Sequence, residues 1–125
     1  MRHMSFTRTP QQMRDGTKTV TRRHPDAWAT LEPGDLVQPV LRTQGLQQGE
    51  RHEFLCPPIE IISNEVEPIA AITIEEVISE GFPDLTVHEF LALLRSTGAI
   101  AVVGHSPPRE FTRRIEFRHT AKEQS

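Results

Sequence analysis

At 125 residues the chain fits one domain with one modest core, and a single cysteine, Cys56, excludes an internal disulfide framework and fits a reducing, cytoplasmic setting. The net charge of −3 excludes a global electrostatic attraction to nucleic acid or anionic membrane, and no apolar run approaches the roughly 18 residues of a membrane span. Charge is nonetheless uneven: six Lys or Arg stand against one acid, Asp15, up to Arg23, whereas residues 57–94 hold eight acids and no Lys or Arg. A basic end facing an acidic middle suits a local anion site, although ordinary scatter of surface charge explains it equally well.

Met1–Ser5 reads as a frayed start, with Phe6 opening a short strand. Thr9-Pro10-Gln11-Gln12 then predicts a helix of about six residues, with threonine as cap, proline at the first helical position and Gln12 completing a capping box. Gly16 closes it and delivers Thr17-Lys18-Thr19-Val20-Thr21-Arg22-Arg23, a segment with one apolar residue, Val20, that suits a polar cavity better than a core. As a strand it would place Thr17, Thr19, Thr21 and Arg23 on one face and Lys18, Val20 and Arg22 on the other. Lys18 and Thr21 can therefore share a cavity only if the backbone bends, or if Lys18 still lies in the turn after Gly16.

His24–Trp28 is a loop, Pro33-Gly34-Asp35 a turn and Leu36–Leu41 a strand, followed by a glycine- and glutamine-rich excursion over 42–53. Ile59–Ile62 and Ile69–Ile72 read as two short strands joined by Asn64–Pro68. Thr73 with Glu76 predicts a capping box for a helix whose Ile74, Val77 and Ile78 fall on one face, ending at Gly81. Thr86 with Glu89 repeats the device, with Leu85 and Phe90 as the staple, and that helix runs to about Ser96 before Gly98. Ile100–Val103 is strand, His105–Pro108 loop, and Phe111, Arg113, Ile115 and Phe117 alternate along a last strand. The core spans about 6–118 and the tail 119–125 is flexible. Short strands with few short helices predict an α+β domain, a small mixed β-barrel with helices at its rim.

Taken together, Gly16–Arg23, Pro33-Gly34-Asp35, and Glu80-Gly81-Phe82 followed by His88-Glu89-Phe90-Leu91 resemble the ASCH domain, a PUA-like barrel family, over roughly Phe6–Phe117. The resemblance implies a cavity linked to RNA or modified nucleosides. Some small bacterial members are amidohydrolases of N4-acetylcytidine that use a lysine, a threonine three positions later and a glutamate, which fall here at Lys18, Thr21 and Glu80. Other members are non-catalytic RNA binders, and RNA cleavage is a further family activity. The family fixes fold better than reaction, and this chain departs from the compact amidohydrolases in the Gly81–Asp84 segment and the longer 42–53 loop.

Amide hydrolysis needs a nucleophile, a proton acceptor and an oxyanion stabiliser. Lys18 serves as base only if burial or the cations of Arg22 and Arg23 lower its pKa by about 3 units; close beside Glu80 the ammonium is favoured, and lysine acts as electrostatic stabiliser with Glu80 as base or proton carrier. Arg22 and Arg23 suit phosphate or a nucleobase carbonyl, Thr19 shares the polar segment, and Trp28 can stack on a base or cover the core. His24, His88, His105 and His119 lack metal-ligand spacing, so the chain is read without metal or cofactor. Hydrolysis of an N4-acylated cytidine is the sharpest reading; an RNA-binding module and a ribonuclease are the alternatives.

Overall fold

The computed structural model describes residues 1–44, 49 and 51–120. The expected loose tail beyond Thr120 and part of the 42–53 excursion lie outside the described residues. The elements in chain order are β1 (His3–Ser5), α1 (Pro10–Arg14), β2 (Val20–Arg23), β3 (Leu36–Val40), β4 (Ile59–Pro68), a 3₁₀ turn (Ile69–Ala71), α2 (Ile74–Ser79), α3 (Val87–Ser96), β5 (Ala101–Val103) and β6 (Arg109–His119). The architecture is mixed α+β: a six-stranded sheet ordered β1-β3-β4-β6-β2, with β5 also on β6, and short helices. No helix among the described residues is long and apolar enough to cross a membrane.

Strand β6 organises the sheet. It pairs antiparallel with β4 along one edge, and its other edge is shared by β5 at Arg109–Phe111 and β2 at Arg113–Glu116. Thr112 fills the gap between those two partners. Fully buried, its hydroxyl lies 2.9 Å from Ala99 O and 3.2 Å from Arg23 O, so one side chain ties the end of β2 to the approach to β5. The two terminal strands of the path, β1 and β2, are joined through a side chain: Arg23 Nη2 donates to Ser5 O at 2.7 Å. Ends of a five-strand path that touch in this way require the sheet to curl.

Four expectations are corrected. The first strand lies within the stretch expected to fray and ends before Phe6: β1 pairs parallel with β3 over His3–Ser5, and Met4 is fully buried. The two strands expected at Ile59–Ile62 and Ile69–Ile72 are one ten-residue strand, β4, followed by the 3₁₀ turn; a register shift between Ile61 and Ser63 accommodates the polar run that reads as a connection. His119, expected in the tail, is the last residue of β6, and its Nε2 lies 2.7 Å from Lys18 O. Gln12 closes no capping box, because Thr9 makes no side-chain cap; the Gln12 amide instead donates to Gly81 O at 2.9 Å, binding α1 to the end of α2.

Of the other helix signals, one is met in full and one in part. Thr86 and Glu89 form both bonds of a capping box. Thr73 accepts from Glu76 N, but the Glu76 carboxylate does not return to the cap. Of the predicted apolar face of α2 only Val77 is buried; Ile74 and Ile78 remain 42% and 49% exposed, since a six-residue helix presents a single residue inward here. The end of α2 is a Schellman motif: Phe82 N donates to Val77 O and Gly81 N to Ile78 O, with Gly81 at φ 101°. This turn folds Phe82 back toward Val77 and leaves Glu80 as the C-cap.

Two apolar clusters result. Met4, Phe6, Met13, Ile115 and Phe117 belong to the sheet core, and Ile72, Val77, Phe90, Leu94 and Ala99 to the core under α2 and α3. At Gly81 a Cβ would meet Gln12 Cγ at 3.2 Å and Thr9 Cγ2 at 3.4 Å, in a backbone conformation that side chains disfavour. Gly81→Ala is expected to destabilise the fold by roughly 1–3 kcal/mol in urea titration; a neutral outcome would mean that the α1–α2 contact is not tight.

Candidate functional site

The polar segment after α1 begins in a turn. Gly16 at φ 79° lets Thr17 N and Lys18 N both donate to Gln12 O, at 3.1 and 3.3 Å, so Lys18 stands outside the regular alternation of β2. Lys18 and Thr21, three residues apart, consequently border the same hollow. That hollow, about 400 Å³, lies at the seam between the two cores, with Phe6 from one and Phe90 and Leu94 from the other in its wall. Arg22, Arg23 and Glu80 also line it.

Glu80 reaches the cavity because it caps α2. Its backbone carbonyl, left without a helical partner, accepts from Lys18 Nζ at 2.5 Å. A cation on the last carbonyl is what the negative end of a helix favours. The Glu80 carboxylate, unfavourable at that end by itself, is held by Lys18 Nζ at 3.3 Å and Arg22 Nη1 at 2.8 Å. All three side chains are almost wholly buried.

Arg22 is the hub of a larger ionic cluster. Its Nη2 also bonds Glu76 Oε1 at 2.8 Å and Glu67 Oε1, and Glu76 in turn takes Arg114 Nε at 2.6 Å and Nη2 at 3.1 Å. Its Nε is buried without an acceptor among the described residues. Burial alone would make Arg22 less basic, but Glu80, Glu76 and Glu67 raise it above its ordinary value. Hydrogen bonds from Arg114, ahead of those from Arg22, hold the Glu76 carboxyl down to about 2 against partial burial.

Lys18 is pushed the other way, to about 8, chiefly by loss of water, with Arg23 and Arg22 adding repulsion and Glu80 opposing them. Its ammonium is therefore disfavoured in the folded chain by an energy on the order of 3 kcal/mol. Arg23 is lowered to about 10 by burial, Glu80 opposing. Its guanidinium lies over the Phe6 ring at 5.1 Å and donates to Ser5 O and, from Nε at 3.3 Å, to Thr21 Oγ.

Of the residues singled out from sequence, Lys18, Thr21, Arg22, Arg23 and Glu80 meet at this cavity, and Thr19 and Trp28 stand outside it. Thr19 works through its backbone, its N–H donating to Ser79 O and its carbonyl accepting from Phe117 N, both at 2.9 Å. Trp28, in the left-handed region at φ 58°, packs on the sheet core beneath the Arg2 guanidinium, 4.3 Å from the ring centroid. Sequence reasoning missed Arg8 and His24, which border the hollow, and the carboxylates Glu67 and Glu76 behind it. The only available signal was the surplus of acid in the middle of the chain. Among the described residues no group of three His, Cys, Asp or Glu is placed to hold a metal ion.

The chain matches no family model, no curated protein and no solved structure.

Two stability measurements follow from the charges. Arg22→Met leaves the Glu80 carboxylate buried with Lys18 alone, and a loss of roughly 3–5 kcal/mol is expected by urea unfolding; a loss below about 1 kcal/mol would show that water reaches the carboxylate. For Lys18, the unfolded chain binds the proton up to about 10.5 and the folded chain only up to about 8. Wild-type stability should thus rise by on the order of 1 kcal/mol between pH 7 and 9, and Lys18→Met should remove that rise. The window stops at 9 because Cys56, raised by burial from 9.0 to about 11, acts in the opposite sense above it. Equal slopes in the two proteins would contradict the buried ammonium.

Proposed function

We propose that the chain is an ASCH-type domain, a PUA-like barrel whose cavity takes a nucleobase and hydrolyses the amide of an N4-acylated cytidine. The observation that carries this reading is the convergence of Lys18, Thr21 and Glu80, drawn from segments some sixty residues apart, on one hollow of about 400 Å³. That volume falls within the roughly 300–1,000 Å³ common for small-molecule sites. The curl implied by the Arg23–Ser5 bond fits a barrel.

The chemistry runs from the protonation of Lys18. With its pKa drawn down to about 8, a usable fraction of Lys18 is neutral near physiological pH. Neutral Lys18 takes the Thr21 proton as the hydroxyl oxygen attacks the acyl carbon. The Arg23 N–H on Thr21 Oγ favours the developing alkoxide. The carbonyl pair moves to oxygen, and the ammonium formed at Lys18 stands beside that charge. Collapse expels the exocyclic amine of cytidine, which recovers the proton from Lys18. Water, deprotonated by the Lys18 amine, then adds to the ester carbon; the C–O bond to Thr21 breaks, Thr21 Oγ recovers the proton from Lys18, and the carboxylic acid is released. Glu80, clamped by Arg22, holds Lys18 in position throughout.

A non-catalytic nucleobase-binding module is the second reading. It is favoured by the occupation of the Lys18 amine, which bonds both the Glu80 carbonyl and its carboxylate.

Incubation with N4-acetylcytidine separates the two. Loss of the acetyl group, at a rate that climbs with pH through about 8, is expected. Lys18→Met should lower the rate by roughly 10²–10⁴-fold and Thr21→Val should abolish it, with circular dichroism unchanged. No turnover at stoichiometric enzyme would remove hydrolysis and leave binding.

A further inference from the structure

The cationic side chains at the cavity are not equivalent. Four of them border it, Arg8, Lys18, Arg22 and Arg23, against one carboxylate, Glu80. Lys18 and Arg22 share that carboxylate, and Arg22 has Glu67 and Glu76 besides. Arg23 hydrogen-bonds only neutral acceptors, the Ser5 carbonyl and the Thr21 hydroxyl, and among the described residues it makes no ion pair, Glu80 acting on it only through space. Arg8, exposed at the mouth, has no hydrogen bond or ion pair to a described residue. Two guanidiniums without an ion pair to a described residue, one of them lowered in basicity by burial, therefore border one hollow in a protein of net charge −3.

Arg8 is exposed to solvent, but burial disfavours the charge of Arg23, which no direct ion pair offsets. A buried or half-buried cation is retained without an acid when an anion arrives to meet it, and guanidiniums match the oxygens of a phosphate in pairs. Thr7 and His24, also at the mouth, add donors of the kind phosphate oxygens accept. An acylated cytidine without phosphate carries no charge to satisfy these groups.

Resting on the nucleobase reading above, we propose that the ligand is a nucleotide rather than a nucleoside, its phosphate held by Arg8 and Arg23 while the base enters toward Thr21. The chemistry is that of a phosphate ester, whether the nucleotide is free or part of an RNA strand.

The test is calorimetric titration of the full chain at low salt with cytidine, cytidine 5′-monophosphate, inorganic phosphate and a short single-stranded oligoribonucleotide containing one cytidine. The phosphorylated ligands are expected to bind at least roughly tenfold tighter than cytidine, the gain of one charge-assisted contact. In Arg8→Gln, an exposed position whose change leaves the fold intact by circular dichroism, that ratio should fall toward one. Whichever of the mononucleotide and the oligonucleotide binds tighter identifies the source of the phosphate. Equal affinity for cytidine and its monophosphate overturns the phosphate subsite and spares the nucleobase reading. Arg8-dependent binding of inorganic phosphate, with no added affinity from the base, upholds the subsite and removes the nucleobase. Failure of every probe to bind overturns both.

Discussion

The contact between Arg22 and Glu80 holds this molecule in its shape. It joins β2, part of the sheet, to the C-cap of α2, a helix that packs in the other core, and both side chains are almost fully out of water. Ion pairs so placed add little net stability, since desolvation offsets most of the attraction. They are, however, intolerant of misplacement, because any arrangement that separates the partners leaves a bare charge in an apolar medium. The pair therefore acts as a register pin. It fixes where α2 ends relative to β2, and with it where Glu80 and Phe82 stand around the hollow. Glu67, Glu76 and Arg114 extend the pin outward to partly exposed positions, so the guanidinium is surrounded by more negative charge than it carries.

Lys18 sits against that pin as the least comfortable group in the fold. Its amine satisfies a helix-terminal carbonyl, yet the loss of water outweighs the nearby carboxylate and its basicity falls. A methionine would fill the same space without that loss of water but would leave the Glu80 carbonyl without its donor, so the amine is held there by specific bonds rather than by packing. The same environment that disfavours the ammonium is the one that would make the free amine available as a base near neutral pH. Stability and chemistry are thus opposed at one atom.

How much of this could be read from the chain depended on how local its cause was. The capping box at Thr86 and Glu89, the turn at Gly16 and the stop at Gly81 are decided within a few residues, and the structure contains each of them. The placement of Lys18 in the turn rather than on a strand face followed from the demand that it share a cavity with Thr21. What escaped was set at long range. β1 exists because β3 offers it a parallel edge, a partner more than thirty residues away. β4 continues through Ser63-Asn64-Glu65 because β6 pairs with it from Phe111 to His119, and no local signal marks that support. Missing the length of β4 hid Glu67, and taking Glu76 as a helix cap alone hid its carboxylate, so the acidic half of the Arg22 cluster was invisible. Trp28 and Thr19 had the right composition for a binding wall, but the first turns onto the sheet core and the second spends its backbone on Ser79 and Phe117.

The uneven charge along the chain acquires a physical meaning once the fold is known. The acids of the middle segment fall into two groups: some lie on exposed surface, and three, Glu67, Glu76 and Glu80, converge on a single arginine from the basic start. That convergence consumes carboxylate at one guanidinium and leaves none for the next, although Arg23 is its neighbour in sequence and points into the same hollow. The reach of the two side chains accounts for the difference: Arg22 extends to the carboxylates of β4 and α2, whereas Arg23 turns back to the Ser5 carbonyl and the Thr21 hydroxyl. An overall negative protein can in this way carry a locally positive recess, whose field is concentrated by its low-dielectric walls of Phe6, Phe90 and Leu94. The sign of that recess depends on which guanidinium the carboxylates reach as much as on composition.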